Sequence, residues 1–567
     1  MNHRLIGALA LTAWLAAAPA GAEMHRPLPA WSTQRNGEPQ PMRRHFMGRP
    51  QGEQSPAPGR LAPGAPQPYS GAPIDVKTYH YNAQRTGWNA RETDLTPATV
   101  ASAKFGQIAK IPVSGLVVAQ PLLISNFPMP DGLEHDVLIV ATSHNDVYAF
   151  DARSYTLLWH VSLGKNQSAA DVGCGDLPAY GVSATPVISR TAPGVATLYV
   201  AAATEPAAFS FHQKLHALDL KTGADLVTPV EIAPSAPLPG GGTISYDPQN
   251  QYTRAGLAWR HGSLYVGIGS HCDDAASSIS GWVLHYDSKL NLLNAFNTIQ
   301  AMASYELSAV WMSGVPPAVD AAGNVFVVTG NGYFSQRAGK LGYGETAISL
   351  TPTLGVRSTF TPSNWAQLNS GDTDFGSGGI VLLPAVSGQT APPLAVTMGK
   401  DAKLFLLNQN SLGGLTSTNS GALWHKSLGS SGGGLWGAPA YYADATGGIV
   451  YVQIDSDVLR AFRVNAGAKP GLAAGASGTS AAGFGGSMPI VSSNGAQAGT
   501  AVVWLVRRGS SETLEAYDAE KLGAPIFTGA AGSWAPNQSN ALVTAMEANG
   551  RVYVGAEKVV TVFGLAQ

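Results

Sequence analysis

One run of the chain, His271-Cys272-Asp273-Asp274, combines an imidazole, a thiol and two carboxylates in consecutive positions. These are ligand types that transition metals use. The chain has only one other cysteine, Cys174, and in an exported protein two cysteines predict a disulfide. Because a cysteine in a disulfide is a poor metal ligand, the sequence disfavours a transition-metal centre here.

Other reactive side chains do not form a recognisable catalytic motif. His212 and His216 are four residues apart, which places two side chains on one face of a helix, but they lie in a strand-like segment. The sequence contains no phosphate-binding glycine loop, no Gly-x-Ser-x-Gly elbow and no His-Glu-x-x-His motif. Hydrolase chemistry therefore has no support from motifs.

The charge content excludes two classes of partner. The net charge is −2 and 12% of residues are charged, so no basic surface for nucleic acid or for an anionic membrane is indicated. No segment after the N-terminus reaches the length of apolar residues that a membrane span needs. We expect neither a nucleic-acid partner nor a membrane span.

The N-terminus has the pattern of a secretory signal peptide. Arg4 precedes an apolar run over residues 5–19, and Ala20-Gly21-Ala22 has the small-x-small form of a cleavage site. Residues 1–22 are therefore expected to be a signal peptide that is cleaved after Ala22. The mature protein is expected in the periplasm or outside the cell.

The next segment, residues 23–73, is rich in Pro, Arg, Gly and Gln and has few large aliphatic residues. Such a composition buries too little apolar surface to offset its conformational entropy. We interpret it as a disordered linker, with binding of an acidic partner through its arginines as the alternative. Residues 74–567 remain for the folded domain.

A degenerate repeat runs through residues 74–567. Its strand motif is hydrophobic-x-Ala-x-Asp, as in Val147–Asp151 with Trp159 further on, Leu215–Asp219 with Thr222-Gly223, and Leu514–Asp518. Each copy follows a short apolar strand, and polar turns separate the two strands. Eight copies, including weaker ones, predict an all-β, eight-bladed β-propeller of four-stranded antiparallel blades. The repeat outweighs the two or three domains that chain length alone would suggest.

The Ala-x-Asp-x-x-Thr-Gly-x-x-x-Trp motif resembles the tryptophan-docking repeat of the quinoprotein alcohol dehydrogenases, which bind pyrroloquinoline quinone (PQQ). Tyr79-His80-Tyr81-Asn82 and residues 95–100 are similar to the opening segments of that family. The resemblance implies PQQ and Ca²⁺ as cofactors, with the quinone on the propeller axis. It also implies a small-molecule substrate with a hydroxyl group.

The resemblance implies three quinone contacts. Trp311 lies about twenty residues before a Thr-Gly-Asn turn, where the family has the tryptophan that stacks on the quinone. Lys400, in Met-Gly-Lys-Asp-Ala, resembles the cation that contacts the quinone oxygens, and Trp436 resembles a further axial tryptophan. The alternatives are a core tryptophan for Trp311 and a surface lysine in a blade turn for Lys400.

The same resemblance implies a catalytic base and metal ligands. Asp374, in Gly-Asp-Thr-Asp-Phe-Gly, resembles the catalytic aspartate, although Thr373 stands where the family has tryptophan, and a polar loop is the alternative. Asn331 resembles the calcium-binding asparagine, with a plain hairpin turn as the alternative. The family's calcium-binding Glu is missing, and Asp273 or Asp274 is expected to substitute for it.

Several family features are absent from the sequence. Cys174-Gly175-Asp176 resembles the family's Cys-Cys-Asp segment, but without the second Cys the vicinal disulfide cannot form. Tyr180 replaces an arginine that contacts the quinone, and no Cys-x-x-Cys-His haem motif is present. Two functions therefore remain open: a PQQ- and calcium-dependent oxidoreductase, or a non-catalytic propeller that binds a partner protein of the cell envelope.

Overall fold

The computed structural model describes residues 66–567 apart from 239–240, 273–278, 301–306, 339, 430–432 and 535–542. The expected signal peptide and residues 23–65 of the expected linker lie outside the described residues, as do Asp273 and Asp274. The described chain forms eight blades in sequence order. The predicted fold class, an all-β eight-bladed propeller, is confirmed.

Each of blades 1 to 7 has four antiparallel strands that follow one another along the chain, whereas blade 8 combines C-terminal strands with Phe105–Leu116. Blade 1 contains Leu122–Pro128, Glu134–Ala141, Asp146–Asp151 and Leu157–Ser162, and blade 2 contains Val187–Ala192, Val195–Thr204, His212–Asp219 and Val230–Glu231. Blade 3 contains Ala258–Arg260, Ser263–Ser270, Trp282–Tyr286 and Leu292–Asn297, and blade 4 contains Ala318–Val319, Val325–Val328, Ala347–Leu350 and Val356–Thr361. Blade 5 contains Ile380–Leu382, Leu394–Thr397, Lys403–Asn408 and Trp424–Ser427, and blade 6 contains Ala440–Asp444, Gly447–Val452, Val458–Asn465 and Gly471–Ala481. Blade 7 contains Ile490–Ser492, Val502–Arg507, Ser511–Asp518 and Phe527–Ser533, and blade 8 contains Met546–Ala548, Arg551–Leu565 and Phe105–Leu116.

The remaining elements are short. The strands are Trp88–Asn89, Gln167–Ser168, Ala179–Tyr180, Ser235–Pro237, Thr243–Ser245, Gln251–Tyr252, Ile299–Gln300, Phe334–Ser335, Leu341–Tyr343 and Gly414–Leu415. The α-helices are Pro97–Ala101, Ala169–Val172 and Trp365–Ser370, and 3₁₀ turns lie at Met312–Gly314 and Phe375–Ser377. No helix among the described residues has the length and apolar character that crossing a bilayer requires.

The aspartate of the repeat closes the turn after the third strand of a blade. Asp151 Oδ1 accepts the backbone N–H groups of Arg153 and Ser154 at 2.8 and 2.6 Å. Asp219 and Asp518 accept the N–H two residues ahead in the same way, at 2.9 and 3.0 Å. An aspartate favours this turn because its side chain pairs with the backbone just after it. The aspartate therefore recurs in the repeat because each of these turns needs its side chain as a hydrogen-bond acceptor.

The tryptophan of the repeat joins neighbouring blades. Trp159, in blade 1, donates from Nε1 to the Leu220 carbonyl of blade 2 at 2.9 Å. Gly223 lies under its ring with a φ of 73°, and a Cβ at this position would be 2.8 Å from the nearest ring atom. The Thr-Gly turn is therefore required both for backbone conformation and for docking.

The two ends of the chain close the ring in blade 8. Lys558, with a φ of 61°, divides Arg551–Leu565 into two segments. The first segment pairs with Met546–Ala548, and the second pairs antiparallel with Phe105–Leu116, placing Ile111 opposite Val560. The sequence predicts closure by pairing of the strand before or after Tyr79–Asn82 with the last blade near residues 552–565, and the strand Phe105–Leu116, which follows it, makes this pairing.

Residues 76–89, here called the channel segment, run across the inner ends of the blades. Its backbone carbonyls accept hydrogen bonds from the first strands of several blades: Lys77 from Ile188, Ala83 from Val319, Gln84 from Leu382, Thr86 from Tyr441 and Gly87 from Val491, at 2.7 to 3.0 Å. Val76 pairs with Leu123, and Tyr81 donates to the Glu547 carbonyl. A segment that contacts seven inner strands in this way lies on the propeller axis.

The chain before the channel segment also contacts the propeller. Gln67 N–H donates to the Leu565 carbonyl at 2.7 Å, and Ser70 N–H donates to Asp94 Oδ2 at 2.9 Å. The linker interpretation therefore does not extend to residues 66–73. Because their backbone groups pair with the last strand and with the loop before helix Pro97–Ala101, these residues belong to the folded domain.

Candidate functional site

Five of the residues that the sequence singles out lie at one end of the propeller. Asn331 and Lys400 follow the second strands of blades 4 and 5. Trp311, Asp374 and Trp436 are on the loops that precede the first strands of blades 4, 5 and 6. In an antiparallel blade these turns and loops occur at the same end, so the fold brings the five together.

Asp374 is the most deeply buried charged group of the site, with its side chain 2% exposed. Its Oδ2 contacts the Lys400 ammonium, and its Oδ1 accepts the Asn331 backbone N–H at 2.8 Å. Burial opposes ionisation, but Lys400 and these hydrogen bonds together lower the pKa of Asp374. The carboxylate is therefore ionised at neutral pH.

Asp372 provides a second carboxylate at the same place. Lys400 Nζ donates to its Oδ1 at 3.1 Å and to its backbone carbonyl at 3.2 Å, while Asn331 Nδ2 donates to the same Oδ1 at 2.8 Å. The Asp372 side chain is 76% exposed, in contrast to that of Asp374. Sequence reasoning missed Asp372, although it is only two residues before Asp374.

Trp311 packs beside this ion pair because two glycines leave room for it. A Cβ at Gly330 would lie 2.8 Å from the Trp311 indole nitrogen and would also strike Asp374. A Cβ at Gly269 would lie 2.9 Å from the Trp311 Cβ. Lys400 Nζ lies 5.6 Å from the centre of the Trp311 ring, within the range of cation–π attraction.

Rings and cations alternate across this end of the propeller. Lys400 Nζ is also 5.9 Å from the Trp436 ring, and the Trp436 ring is 5.1 Å from that of Phe484. On the other side, the Arg254 guanidinium is 5.3 Å from the Trp311 ring. We call these five side chains, Phe484, Trp436, Lys400, Trp311 and Arg254, the ring–cation row.

The Arg254 end of the row is polar, and sequence reasoning missed it. Arg254 Nη1 donates to Asp176 Oδ2 at 3.1 Å and to the Tyr252 hydroxyl at 3.2 Å. Asp176 follows Cys174, which forms the expected disulfide with Cys272. Proximity to Cys174 was a usable signal for Asp176, whereas nothing in the sequence around Arg254 indicated its position.

His271, next to this disulfide, is enclosed by aromatic rings. Tyr252 stacks on its imidazole at 4.1 Å, and Tyr180 meets it edge-on at 4.3 Å. Burial, reinforced by the charge of Arg254, lowers the pKa of His271 to about 3, so the imidazole is neutral. Its surroundings are those of a core residue.

The described residues include only one of the three predicted calcium ligands, Asn331. Both oxygens of Asp374 are engaged, by Lys400 and by the Asn331 N–H, and the Asn331 amide donates to Asp372. Within the described ranges, no three His, Cys, Asp or Glu residues gather as metal ligands. The predicted ligands Asp273 and Asp274 lie outside the described residues. The calcium site with Asn331 and Asp273 or Asp274 as ligands therefore stays a prediction.

The same residues fit a flat anionic aromatic group such as PQQ, which is a tricarboxylate. Trp311 and Trp436 offer indole rings for stacking. Lys400 and Arg254 lie beside these rings and carry the positive charges that carboxylates and quinone oxygens bind. The aromatic and cationic parts of the predicted quinone site are therefore adjacent in space.

No protein-family model matches the chain, and no curated protein sequence matches it. Solved structures do match. A quinohemoprotein alcohol dehydrogenase from Comamonas testosteroni is 14% identical over 87% of this chain and 81% of its own, with a TM-score of 0.56. A europium-containing methanol dehydrogenase is 14% identical over 87% and 98%, with a TM-score of 0.56. The fold is that of the quinoprotein alcohol dehydrogenases.

A quinohemoprotein alcohol dehydrogenase from Pseudomonas putida HK5 gives the same result, with 12% identity over 87% of this chain and 80% of its own and a TM-score of 0.57. The resemblance stated from the repeat is thus confirmed as a likeness of fold in a divergent chain. At such low identity it does not extend to activity, because one fold carries many functions.

Proposed function

We propose that this protein is an exported oxidoreductase of the quinoprotein type, which binds PQQ at the ring–cation row and oxidises a hydroxyl group of a small molecule. One observation carries the proposal: the buried Asp374 carboxylate contacts Lys400, and Lys400 lies between the Trp311 and Trp436 rings. A proton acceptor, a cation and two stacking surfaces thus meet at one point.

Binding and orientation are the tasks of the row. Trp311 and Trp436 would hold the flat face of the cofactor, and Lys400 and Arg254 would bind its oxygens. When bound, PQQ supplies the quinone that accepts two electrons from the carbon bearing the hydroxyl. The protein's own residues fix that carbon close to Asp374 and exclude water around it.

Asp374 would take the hydroxyl proton at its Oδ2. In the structure Lys400 lowers the pKa of Asp374, which weakens it as a base. A bound anion competes with Asp374 for the Lys400 ammonium. As that contact loosens, the pKa of Asp374 rises toward the range in which a carboxylate accepts a proton effectively. Binding of the cofactor would therefore strengthen the base.

Calcium is given no step in this proposal, because two of its predicted ligands, Asp273 and Asp274, lie outside the described residues. The compartment follows from the expected signal peptide at residues 1–22 and is the periplasm or the exterior. The hydroxyl substrate enters at the end of the propeller that carries Lys400 and Asp374.

The test is direct titration of the purified protein with PQQ, followed by its absorbance and by quenching of tryptophan fluorescence, with and without EDTA. Dye reduction is then measured with a panel of alcohols. Lys400→Met should weaken PQQ binding at least tenfold, whereas Lys403→Met, a neighbour in the same blade, should bind normally. Asp374→Asn should bind PQQ but lose dye reduction.

Failure to bind PQQ at micromolar concentration, with or without added Ca²⁺, would remove the enzyme proposal. The propeller would then be better explained as a non-catalytic scaffold for an envelope partner. Dye reduction by Asp374→Asn at the wild-type rate would remove the assignment of the base while leaving the cofactor site intact.

A further inference from the structure

The two ends of the ring–cation row differ in polarity. At one end Arg254 is paired with Asp176. At the other end the row finishes on the Phe484 ring, which is 42% exposed and packs against Trp436. A molecule whose hydroxyl reaches Asp374 therefore has a charged wall on one side and an apolar wall on the other.

Phe484 lies on residues 482–489, which connect the last strand of blade 6 to the first strand of blade 7 and are here called the rim loop. The buried side chain of Arg508 contacts this loop at two backbone carbonyls. Arg508 donates from Nε to the Gly486 carbonyl at 2.9 Å and from Nη2 to the Gly485 carbonyl at 2.8 Å. Nη2 also donates to the Trp436 carbonyl at 3.2 Å. One guanidinium thus ties the rim loop to the loop that carries Trp436.

The rim loop lies flat on the Trp436 indole. Gly485 has a φ of 74°, and a Cβ at this position would be 3.4 Å from the indole ring. The Gly485 carbonyl also accepts a hydrogen bond from the backbone N–H of Trp436 at 3.0 Å, and the Gly485 N–H donates to Asp455 Oδ2 at 3.3 Å. This backbone arrangement directs the neighbouring Phe484 ring over Trp436.

Arg508 is 2% exposed, and its hydrogen bonds go to carbonyl oxygens. Burial lowers the pKa of Arg508 to about 10, so it remains charged at neutral pH. A guanidinium with five donors is suited to joining several carbonyls from separate loops, which a lysine ammonium does less well because it is a point charge. Its position indicates a role in holding the rim loop.

We infer that Phe484 and Trp436 form an apolar subsite for an alkyl or aryl substituent of the hydroxyl substrate, and that Arg508 is the positioning residue of this subsite. The inference rests on the proposed function, since it takes Asp374 as the point where the hydroxyl binds. Lys400 contacts both Asp374 and the Trp436 ring. Lys400 therefore connects the point where the hydroxyl binds to the Trp436 and Phe484 end of the row.

Binding to the purified full chain, without added PQQ, tests the subsite. Saturation-transfer NMR would measure the affinity for 3-phenylpropan-1-ol, with glycerol as the polar probe. Phe484→Ala should weaken binding of the phenyl alcohol by about tenfold, because an apolar ring contact is lost, and leave glycerol unchanged. Phe209→Ala is the matched control, since Phe209 is also an exposed phenylalanine, at 69% exposure, on a blade 2 turn.

Kinetics with straight-chain alcohols test Arg508. In the wild type KM should fall by about fourfold for each added methylene from propan-1-ol to pentan-1-ol. In Arg508→Lys this dependence should flatten, because the rim loop no longer holds the Phe484 ring over Trp436. Loss of kcat at unchanged chain-length dependence would overturn the positioning role of Arg508.

Equal affinity of the wild type and Phe484→Ala for 3-phenylpropan-1-ol would overturn the subsite, and this experiment remains informative even if Arg508→Lys does not fold. A protein that reduces no dye with PQQ, yet loses phenyl alcohol binding in Phe484→Ala alone, would retain the apolar subsite. In that case the proposed oxidoreductase function would fail separately.

Discussion

The Lys400 ammonium contacts the carboxylate of Asp374, and the two side chains are 13% and 2% exposed. A buried carboxylate is costly unless a charge or several hydrogen bonds compensate it. Here one lysine and one backbone N–H provide that compensation. The electrostatics of the whole site therefore depend on Lys400.

Lys400→Met should be strongly destabilising for this reason. Removing one partner of a buried pair leaves the other charge uncompensated, which costs about 3–5 kcal/mol. The measurement is urea denaturation at pH 7. Lys521→Met is the control, because Lys521 pairs with Asp518 but its side chain is 80% exposed. The double variant Lys400→Met/Asp374→Asn should recover most of the loss, and additive losses would contradict the pairing.

The docking of Trp159 on Gly223 gives a second prediction. Gly223→Ala adds a methyl group 2.8 Å from the Trp159 indole, at a backbone φ of 73°. Backbone strain and overpacking against the indole should together destabilise the folded state by about 2–5 kcal/mol. Gly262→Ala is the matched control: its φ is 82°, but no atom lies within 4 Å of the added Cβ. It should cost only about 1–2 kcal/mol. Equal losses in the two variants by denaturant titration would contradict docking as the cause.

The fold could be predicted from the sequence because its signals recur along the repeat. The Asp151 turn depends on residues next to one another, and the Trp159 contact joins one copy of the motif to the next copy, 61 residues away. Closure of the propeller ring could also be predicted, because the C-terminal part of the sequence contains an apolar strand that needs a pairing partner. The contacts of residues 66–73 could not be predicted, because these residues have the composition of a linker and bind partners more than 20 residues away in sequence, such as Asp94 and Leu565.

The site was predicted in part. Trp311, Asn331, Asp374, Lys400 and Trp436 were chosen by likeness to a family motif, and they do meet. Asp372, Arg254 and Arg508 were missed because their roles come from long-range contacts, such as that of Arg254 with Asp176, 78 residues away. The Lys400–Asp374 contact likewise depends on how two blades are placed. The predicted calcium ligands Asp273 and Asp274 lie outside the described residues, so that part of the site stays a prediction.

Glu547, in blade 8, makes stability depend on pH. It is fully buried beside the also buried Glu92. Burial, and then the charge of Glu92, raise the pKa of Glu547 well above the ordinary value of 4.5. The folded protein thus keeps a proton on Glu547 that the unfolded chain releases. The contribution of Glu547 to the free energy of unfolding is therefore complete below about pH 4.5, the ordinary pKa, and is lost as the pH rises through the pKa of the folded state.

Glu547→Gln keeps the neutral form at every pH. It should therefore unfold at a higher temperature than the wild type at alkaline pH, with the difference shrinking toward zero near pH 4. Melting followed by circular dichroism between about pH 4 and pH 9 measures this. Glu134→Gln, at an exposed position of blade 1, is the control and should parallel the wild type. A Glu547→Gln difference that grows on acidification would contradict the stated sign.

Closure of the ring by both chain ends gives the last prediction. A chain ending at Val552 loses the strand segment that pairs with Phe105–Leu116. Blade 8 would then keep an unpaired edge and its buried apolar residues would be exposed to water, so the ring should not close. We expect loss of the cooperative melting transition and rapid proteolysis. Removing Gln567 alone, which is exposed, should change neither property. If closure is the cause, a peptide of residues 553–567 added to the shortened chain should restore its resistance to protease. A shortened chain that melts like the full-length protein would show that the ring is stable without its C-terminal strand.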